Sequence, residues 1–217
     1  EVFSFHATKF LNTFEGGVIA TNHDDLAADI RLMVHFGFAD YDRVVSIGTN
    51  GKMSEISAAM GLTNLESLDA FIGCNYRNYR RYQAELANIP GISLRSYNEN
   101  EKSNFQYIVV EVNPELVGMH RDTLVQVLTA ENVLARRYFW PGCHRMEPYR
   151  SQWPGTVPSL PVTEHIAERV LVLPSGTSVS ESDISTICDI IRTAVAEAGT
   201  IRLLHAQIIA NQYALIH

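Results

Sequence analysis

A lysine close to the start of the chain is the residue best placed to do chemistry. Residues 4–9 read Ser-Phe-His-Ala-Thr-Lys and residues 15–21 read Glu-Gly-Gly-Val-Ile-Ala-Thr, so Lys9 lies in a short turn between two apolar stretches. An amine that is partly removed from water loses its proton more readily and becomes a nucleophile toward aldehydes, as a Schiff-base lysine does. The alternative interpretation is an ordinary lysine at a strand end, with its ammonium group in water.

Two further segments carry side chains suited to binding. Residues 48–62 read Gly-Thr-Asn-Gly-Lys-Met-Ser-Glu-Ile-Ser-Ala-Ala-Met-Gly-Leu, in which a glycine-flanked asparagine leads into an alanine-rich helix. Residues 137–149 read Arg-Tyr-Phe-Trp-Pro-Gly-Cys-His-Arg-Met-Glu-Pro-Tyr. By residue chemistry alone, Asn50 is a left-handed turn residue and His144 is a loop histidine among prolines.

Together the three segments resemble the DegT/DnrJ/EryC1/StrS family of sugar aminotransferases, which depend on pyridoxal phosphate (PLP). The first is similar to the family's Ser-Phe-x-x-x-Lys and Glu-Gly-Gly pattern, the second to its Gly-x-Asn loop, and the third to its Tyr-Phe-x-Pro stretch that continues to His and Pro-Tyr. The segments occur in family order, and the resemblance covers residues 1 to about 175. It implies the C-terminal part of the aspartate-aminotransferase-type PLP fold, in the α/β class.

The resemblance also implies a role for each candidate residue. Lys9 would hold PLP as a Schiff base and then carry the proton between the reacting carbons. Ser4 would donate its hydroxyl to the PLP phosphate, and Asn50 would reach the phosphate of a neighbouring subunit, which implies a homodimer with shared sites. The nucleotide-sugar side would be lined by Tyr138, His144 and Tyr149.

Two positions beside these residues have open roles. Lys52 stands where many members of the family carry arginine, and a lysine still faces a phosphate but lacks the bidentate geometry. His6 lies either beside the cofactor or simply in a strand.

The implied activity is transfer of an amino group from an amino acid, with glutamate as the expected donor, to a keto-deoxysugar carried by a nucleotide. Two alternatives remain. One is a PLP-independent relative such as a dehydratase, and Lys9 argues against it because histidine replaces the lysine in that branch. The other is a truncated, non-catalytic fragment that persists as an oligomerising fold.

The position of Lys9 in the chain differs from the family pattern. In the family this lysine lies near the middle, after a phosphate-binding turn, an aromatic residue that stacks on the cofactor ring, and an aspartate at the ring nitrogen. This sequence begins at Glu1 and reaches the lysine within nine residues, so it resembles the C-terminal half of such an enzyme. We therefore expect the isolated chain to bind PLP weakly or not at all, to lack transaminase activity and to self-associate.

Composition argues against several other classes of protein. The net charge of −7 and the pI near 5.6 disfavour nucleic-acid and anionic-membrane partners. No apolar run is long enough to span a membrane. The cysteines are odd in number and form no Cys-x-x-Cys pair, which disfavours a disulfide framework or a metal site and indicates a reducing cytoplasm; they are Cys74, Cys143 and Cys188.

The first 70 residues predict the remnant of a PLP-binding large domain. The hydrophobic pattern and the punctuating residues predict two strands, a helix, a loop and a second helix, at residues 2–6, 17–21, 22–37, 38–51 and from Ser54 onward. A long helix then crosses the expected domain boundary, from residue 65 to residue 86.

Residues 71–200 predict a small α+β domain. After the long helix we expect a hairpin, a helix, two strands and a capped helix, at residues 92–97 with 105–112, 120–131, 134–139, 170–173 and 180–197. Residues 201–217 predict an apolar helical tail outside the family resemblance.

Overall fold

The computed structural model describes residues 1–152, 155, 159–204 and 207. It contains two compact units, Glu1–Phe71 and a second unit that begins at Ile72. Within the described residues, no helix is both long enough and apolar enough to cross a membrane.

The first unit is made of hairpins and helices that share little core. Its elements in chain order are β1 (Val2–Ser4), β2 (Gly17–Ile19), α1 (Asp24–Val34), β3 (Phe38–Asp40), β4 (Arg43–Val44) and α2 (Glu55–Glu66). β1 pairs with β2 and β3 with β4, both antiparallel. The structure describes every residue of this unit, and only Thr13, Gly37 and Asn64 are buried.

The prediction of a loop over residues 38–51 is wrong in its first half, where β3 and β4 form a short hairpin. Phe38 lies opposite Val44, and the turn between the strands is closed by Asp40, whose Oδ1 accepts a hydrogen bond of 2.7 Å from the Tyr41 N–H. An aspartate that bonds the backbone beside it is a turn former. The polar residues that read as a loop are therefore the turn of a hairpin.

The second unit is built on a three-stranded antiparallel sheet in the order β5-β6-β7. The strands are β5 (Ile92–Leu94), β6 (Ile108–Val112) and β7 (Val170–Leu173). Ile92 lies opposite Val112 and Ile108 opposite Leu173. Alternate residues of β6 are buried, as the period of a strand requires when one face packs on a core. The predicted hairpin is confirmed, with shorter strands than expected.

Helices precede, connect and follow the strands of this sheet. They are α3 (Leu68–Leu86), α4 (Pro114–Val117), α5 (Arg121–Ala130), α6 (Tyr149–Gln152), α7 (Pro161–Arg169) and α8 (Glu181–Ala196), and residues 198–204 are also helical. Apolar side chains of α3, α4, α5 and α8 meet the buried face of the sheet in one core, which includes Tyr82, Leu128, Leu171, Ile184 and Ile191. Fully buried side chains of this kind supply most of the stability of a small domain.

The predicted cap of the last long helix is confirmed. The Ser180 hydroxyl accepts a hydrogen bond from the Asp183 N–H at 3.2 Å, and the Asp183 carboxylate accepts one from the Ser180 N–H at 2.9 Å. This reciprocal pair is a capping box, which satisfies two donors that the first turn would otherwise leave unpaired.

The prediction of a strand over residues 134–139 is wrong. Arg136 makes an isolated bridge to Val172, and the chain then turns, with the Gly142 N–H donating to the Phe139 carbonyl at 2.6 Å. The Trp140 N–H also bonds back to the Arg137 carbonyl at 3.1 Å, so the turn begins directly after Arg136 and pairing is limited to that residue. Of the predicted tail, residues 201–204 and 207 are helical, and its other residues lie outside the described part of the chain.

Candidate functional site

Lys9 lies in the connection between β1 and β2, and local hydrogen bonds hold its backbone. The Lys9 N–H donates to the His6 carbonyl at 2.9 Å, and the Asn12 amide donates to the Lys9 carbonyl at 3.2 Å. The Asn12 carbonyl accepts from the Asn64 amide at 2.7 Å, which ties the turn to α2. The lysine is half-buried, and these bonds fix the backbone from which its side chain extends.

Thr13 is the buried centre of this turn. Its N–H donates to the Phe5 carbonyl at 3.0 Å and its hydroxyl donates to the Glu15 carbonyl at 2.9 Å. A Cβ on Gly16 would lie 2.6 Å from the Thr13 hydroxyl, and a Cβ on Gly61 would lie 2.8 Å from its methyl group. Glycines from the Glu-Gly-Gly pattern and from α2 are therefore needed because both pack directly on Thr13.

Ser4 and His6 flank the start of the turn. Ser4 ends β1 opposite Gly17, is exposed, and accepts a long hydrogen bond of 3.4 Å from the His6 N–H. The His6 Nδ1 accepts from the Thr8 N–H at 3.2 Å, so in the neutral ring the proton is on Nε2. That nitrogen faces the Glu15 carboxylate at 3.5 Å. His6 is thus engaged within the turn on both of its nitrogens.

The Gly-x-Asn loop is held against the end of α1. The Thr49 N–H donates to the Met33 carbonyl at 2.7 Å and the Gly51 N–H to the Val34 carbonyl at 3.0 Å. A Cβ on Gly48 would lie 2.4 Å from a backbone nitrogen, so only glycine allows this approach. The loop therefore fixes the backbone on either side of Asn50.

Asn50 and Lys52 form one polar group on this loop. The Lys52 ammonium donates to the Asn50 Oδ1 at 2.5 Å and lies 4.4 Å from the centre of the Phe36 ring, a cation–π contact. Because a cation faces the amide oxygen, the two N–H donors of Asn50 are on the other side of the amide. Both side chains are exposed.

Tyr138 begins the third candidate segment, at residues 137–149 in the second unit. Its ring stacks on Phe139 with a centroid separation of 4.8 Å and meets the edge of Tyr107 at 6.0 Å. The Arg137 guanidinium lies 4.6 Å from the centre of the Trp140 ring. This end of the segment therefore carries several aromatic rings, one of which lies against an arginine.

His144 is bound to a carboxylate that the sequence patterns did not single out. Its Nε2–H donates to the Glu164 Oε1 at 3.1 Å, and its side chain is only 10% exposed. The hydrogen bond from His144 is the largest influence that lowers the pKa of Glu164, followed by the bond from the Leu160 N–H. Pro161 at the first position of α7, with an acid in the first turn, was the available signal for this helix.

The remaining candidate, Tyr149, begins α6 and is exposed. Ser4, Lys9 and Asn50 thus belong to the first unit, and all three substrate-side candidates belong to the second. Within the first unit, Ser4 and Lys9 share one hairpin connection, whereas Asn50 is on a separate loop. The functional role of each residue remains a prediction.

The described residues do not favour a nucleophilic cysteine or a metal site. The three cysteines are free, and burial raises the pKa of the Cys188 thiol to about 12, which keeps it protonated. Cys143 is exposed beside His144, but Glu164 engages the Nε2 of that histidine. In the part of the chain that the structure describes, no group of three or more His, Cys, Asp or Glu side chains could hold a metal ion.

Comparison with known proteins gives consistent results. The sequence model of the DegT/DnrJ/EryC1/StrS aminotransferase family matches residues 1–192. A dTDP-4-amino-4,6-dideoxy-D-glucose transaminase from Shigella dysenteriae is 36% identical over 191 residues, which are 88% of this chain and 51% of that protein. The Escherichia coli protein of the same name is 34% identical over 77% of this chain and 45% of its own length.

Solved structures show the same relationship. The crystal structure of DesI in the presence of its TDP-sugar product matches with a TM-score of 0.86 and 44% identity, over 95% of this chain and 52% of that one. The aminotransferase TlmJ from Streptoalloteichus hindustanus matches with a TM-score of 0.80 and 25% identity, over 91% and 52%. The chain spans about half the length of the relatives that it matches.

Proposed function

Because the chain belongs to the DegT/DnrJ/EryC1/StrS aminotransferase family, we propose that it carries the Schiff-base lysine of a PLP-dependent sugar aminotransferase. The proposed reaction moves an amino group from an amino acid, with glutamate as donor, to a keto-deoxysugar on a nucleotide. The family resemblance and the fold class predicted from the sequence are both confirmed, since the matching structures are sugar aminotransferases with a mixed α/β fold. The fold does not by itself specify the substrate.

The substrate class follows from the relatives. Two of them are named for a dTDP-linked 4-amino-4,6-dideoxyglucose, and a third was solved with a TDP-sugar product. We infer a thymidine-diphosphate deoxysugar as the acceptor for the protein to which this chain belongs. The reducing compartment implied by three free cysteines supports a cytoplasmic site for the reaction.

The observation that carries the proposal is the setting of Lys9. Hydrogen bonds fix its backbone on both sides. The buried residue that makes the internal hydrogen bonds of the turn is Thr13, not the lysine. The amine is therefore free of a packing role and half-exposed, which is what a nucleophile toward a small aldehyde needs. The exposed Ser4 hydroxyl, on the same hairpin, is a donor suited to a phosphate oxygen. An amine and a hydroxyl are the group types that would bind the aldehyde and the phosphate of PLP.

Each residue then has a defined task. PLP supplies an electron sink for the carbon that gains or loses a proton. Lys9 would hold the cofactor through its amine and, when free, would serve as the base that moves the proton. The Ser4 hydroxyl would donate to the phosphate. Asn50 would offer its N–H donors to the phosphate bound by a neighbouring copy, with the positive charge of Lys52 beside them.

A chimera tests the proposed function. In the Shigella dysenteriae transaminase, the part that matches this chain is replaced by residues 1–192, and amino transfer from dTDP-4-amino-4,6-dideoxy-D-glucose to a keto acid is measured. We expect activity in the chimera and PLP absorbance in the visible range. A folded chimera that takes up PLP but does not turn over any dTDP-sugar would contradict the proposed substrate class.

The proposed working unit is a homodimer with shared sites. Large apolar side chains of the first unit are exposed, among them Ile47, Ile56 and Leu62, and exposed apolar surface favours association. The same observation favours the second candidate function, a non-catalytic oligomerising fragment. Mixing an Asn50→Ala chimera with a Lys9→Ala chimera separates the two, because hybrid dimers should regain part of the activity. If subunits exchange and no activity returns, Asn50 does not act across the subunit boundary.

A further inference from the structure

The segment of residues 137–149, which we call the substrate-side segment, is tied to two helices by carboxylates. Asp122 lies in the first turn of α5 and Glu164 in the first turn of α7. The N-terminal turn of a helix favours a negative side chain, so both carboxylates are placed where their charge is stabilised. One contacts the start of the segment and the other contacts its middle.

Asp122 holds the start of the segment. Its Oδ1 accepts from the Arg137 Nη1 at 3.1 Å and from the buried Arg121 Nε at 2.8 Å. Arg121 also donates to the Val170 carbonyl, so Asp122 is itself anchored to β7. The guanidinium that Asp122 binds is the one that lies over Trp140. The contact thus reaches from a helix terminus to the aromatic group of the segment.

Glu164 holds the middle of the segment through two adjacent residues. Its Oε1 accepts from His144 and from the Arg145 Nε, both at 3.1 Å, and its Oε2 lies 2.6 Å from the Arg145 Nη2. The same carboxylate accepts from the Leu160 N–H at 3.2 Å. Leu160 precedes α7 without a capping side chain, so Glu164 also satisfies the start of its own helix.

The contact between Glu164 and His144 differs in setting from an ordinary surface ion pair, whereas the Asp122–Arg137 pair is more exposed, at 33% and 39%. The Glu164 and His144 side chains are 19% and 10% exposed, whereas the Arg80 and Glu99 side chains of a surface pair are 51% and 75% exposed. Exposed pairs contribute little, because water screens them and both side chains lose freedom. Between Arg137 and His144 the backbone forms short turns, such as the one in which the Trp140 N–H donates to the Arg137 carbonyl, and it is not paired in a sheet.

We propose that Asp122 and Glu164 are positioning residues that keep the substrate-side segment in one conformation, so that a nucleotide sugar meets it already ordered. The inference rests on the proposed function, since it assigns a task to the segment that would line the nucleotide-sugar side. A ligand that binds one of several conformations binds more weakly in proportion to the population of that conformation. Loss of either tie therefore weakens sugar-nucleotide binding and leaves the amino-acid side unchanged.

The first arm of the test uses the 217-residue chain without any ligand. The chain has two tryptophans, so a Trp153→Phe background leaves Trp140 as the only fluorescent indole. Acrylamide quenching of Trp140 is measured in Glu164→Gln, in Asp122→Asn and in Arg137→Gln, which spares the Asp122 bond to the buried Arg121. Glu99→Gln is the matched control. We expect quenching to rise about twofold or more in Glu164→Gln and Asp122→Asn, because a local opening exposes the indole, and to stay constant in the control. Quenching in Arg137→Gln should rise further, since this change also removes the side chain that lies over the indole.

The second arm uses the chimera and a kinetic readout. We expect KM for dTDP-4-amino-4,6-dideoxy-D-glucose to rise about tenfold in Glu164→Gln and Arg137→Gln if the ordered population falls to a tenth. KM for the keto acid that accepts the amino group should not change. A general loss of structure would alter both constants, so the split identifies a positioning role.

Unchanged quenching in the variants overturns the inference, and so does raised quenching with an unchanged KM for the sugar nucleotide. An inactive parent chimera counts against the proposed function, and the quenching arm then decides whether the carboxylates order the segment.

Discussion

The unit Glu1–Phe71 and the unit that begins at Ile72 hold their residues in place by different means. In the first, hairpins and turns are fixed by backbone hydrogen bonds around Thr13, and large side chains such as Val2 and Ile47 are 80% and 94% exposed. In the second, one apolar core joins the sheet to its helices. The amine, hydroxyl and amide proposed for cofactor chemistry all belong to the first unit. Local hydrogen bonds thus set the positions of the reactive groups, and a separate core provides the stability.

The largest effect on activity is expected at Lys9, which belongs to the first unit and contributes to no hydrophobic core. Lys9→Ala in the chimera should abolish amino transfer, because no other side chain of the turn provides an amine. The free energy of unfolding should change by no more than about 0.5 kcal/mol, since the lysine packs against no core. Activity assays and urea unfolding check the two halves of this prediction.

Lys52→Ala is the matched control for the lysine variant. It removes the other lysine of the first unit, the one bonded to Asn50, and should leave measurable turnover. Transamination near the parent rate in Lys9→Ala would overturn the assignment of the Schiff-base residue.

A pair of apolar truncations compares the two units directly. Leu171→Ala removes a fully buried side chain of β7 and should lower the free energy of unfolding by about 2–5 kcal/mol. Ile47→Ala removes an exposed side chain of the first unit and should change it by about 0.5 kcal/mol or less. Urea unfolding of the 217-residue chain measures both. Equal losses would mean that Ile47 is buried in solution, as in a dimer.

Helix caps provide a smaller and chemically matched comparison. Ser180 caps α8 and Ser54 caps α2, each by accepting a backbone N–H. Ser180→Ala should destabilise the chain by about 1 kcal/mol. Ser54→Ala should have a smaller effect on the same transition, because α2 buries little side-chain surface and opens locally before the core unfolds. Thermal or urea unfolding distinguishes them, and a larger loss at Ser54 would contradict the division of stability between the units.

The smallest effect is a pH dependence at Glu164. Hydrogen bonds from His144, from the Leu160 N–H and from Arg145 lower the pKa of this carboxyl in the folded chain. A carboxyl with a lowered folded pKa stabilises the fold above its unfolded pKa of about 4.3, and that stabilisation is lost as the pH falls through the folded value. The difference in free energy of unfolding between the parent and Glu164→Gln should therefore be largest at neutral pH and decrease below about pH 4.

Unfolding of both proteins across the acid range measures this difference. Glu99→Gln, at the exposed pair with Arg80, is the control and should show a smaller difference at every pH. If the difference in free energy of unfolding between the parent and Glu164→Gln grows on acidification, the carboxylate does not stabilise the fold in its ionised form.

Sequence patterns identified the elements whose signals are local. The capping box at Ser180 and the hairpin of β5 with β6 depend on residues close together in the chain, and both predictions hold. The run at residues 134–139 was predicted to be a strand, but only Arg136 pairs, with Val172, because the chain turns directly after it.

The candidate site shows the same limit. Lys9 could be found from its motif, whereas Glu164 is 20 residues from His144 and its role exists only through the fold. Asp122 is 15 residues from Arg137 and has no pattern that marks it as a partner. Contacts of this kind depend on tertiary packing, which periodicity and composition do not encode.

The most direct test of the central claim is to locate the amine that reacts with PLP. The chain contains three lysines, and Lys9 is half-buried while Lys52 and Lys102 are exposed. The chimera is incubated with PLP and reduced with borohydride, and the labelled peptides are identified by mass spectrometry. We predict that, of these three lysines, the label is concentrated on Lys9 despite its lower exposure. Labelling that follows exposure, with Lys52 and Lys102 modified ahead of Lys9, would contradict it.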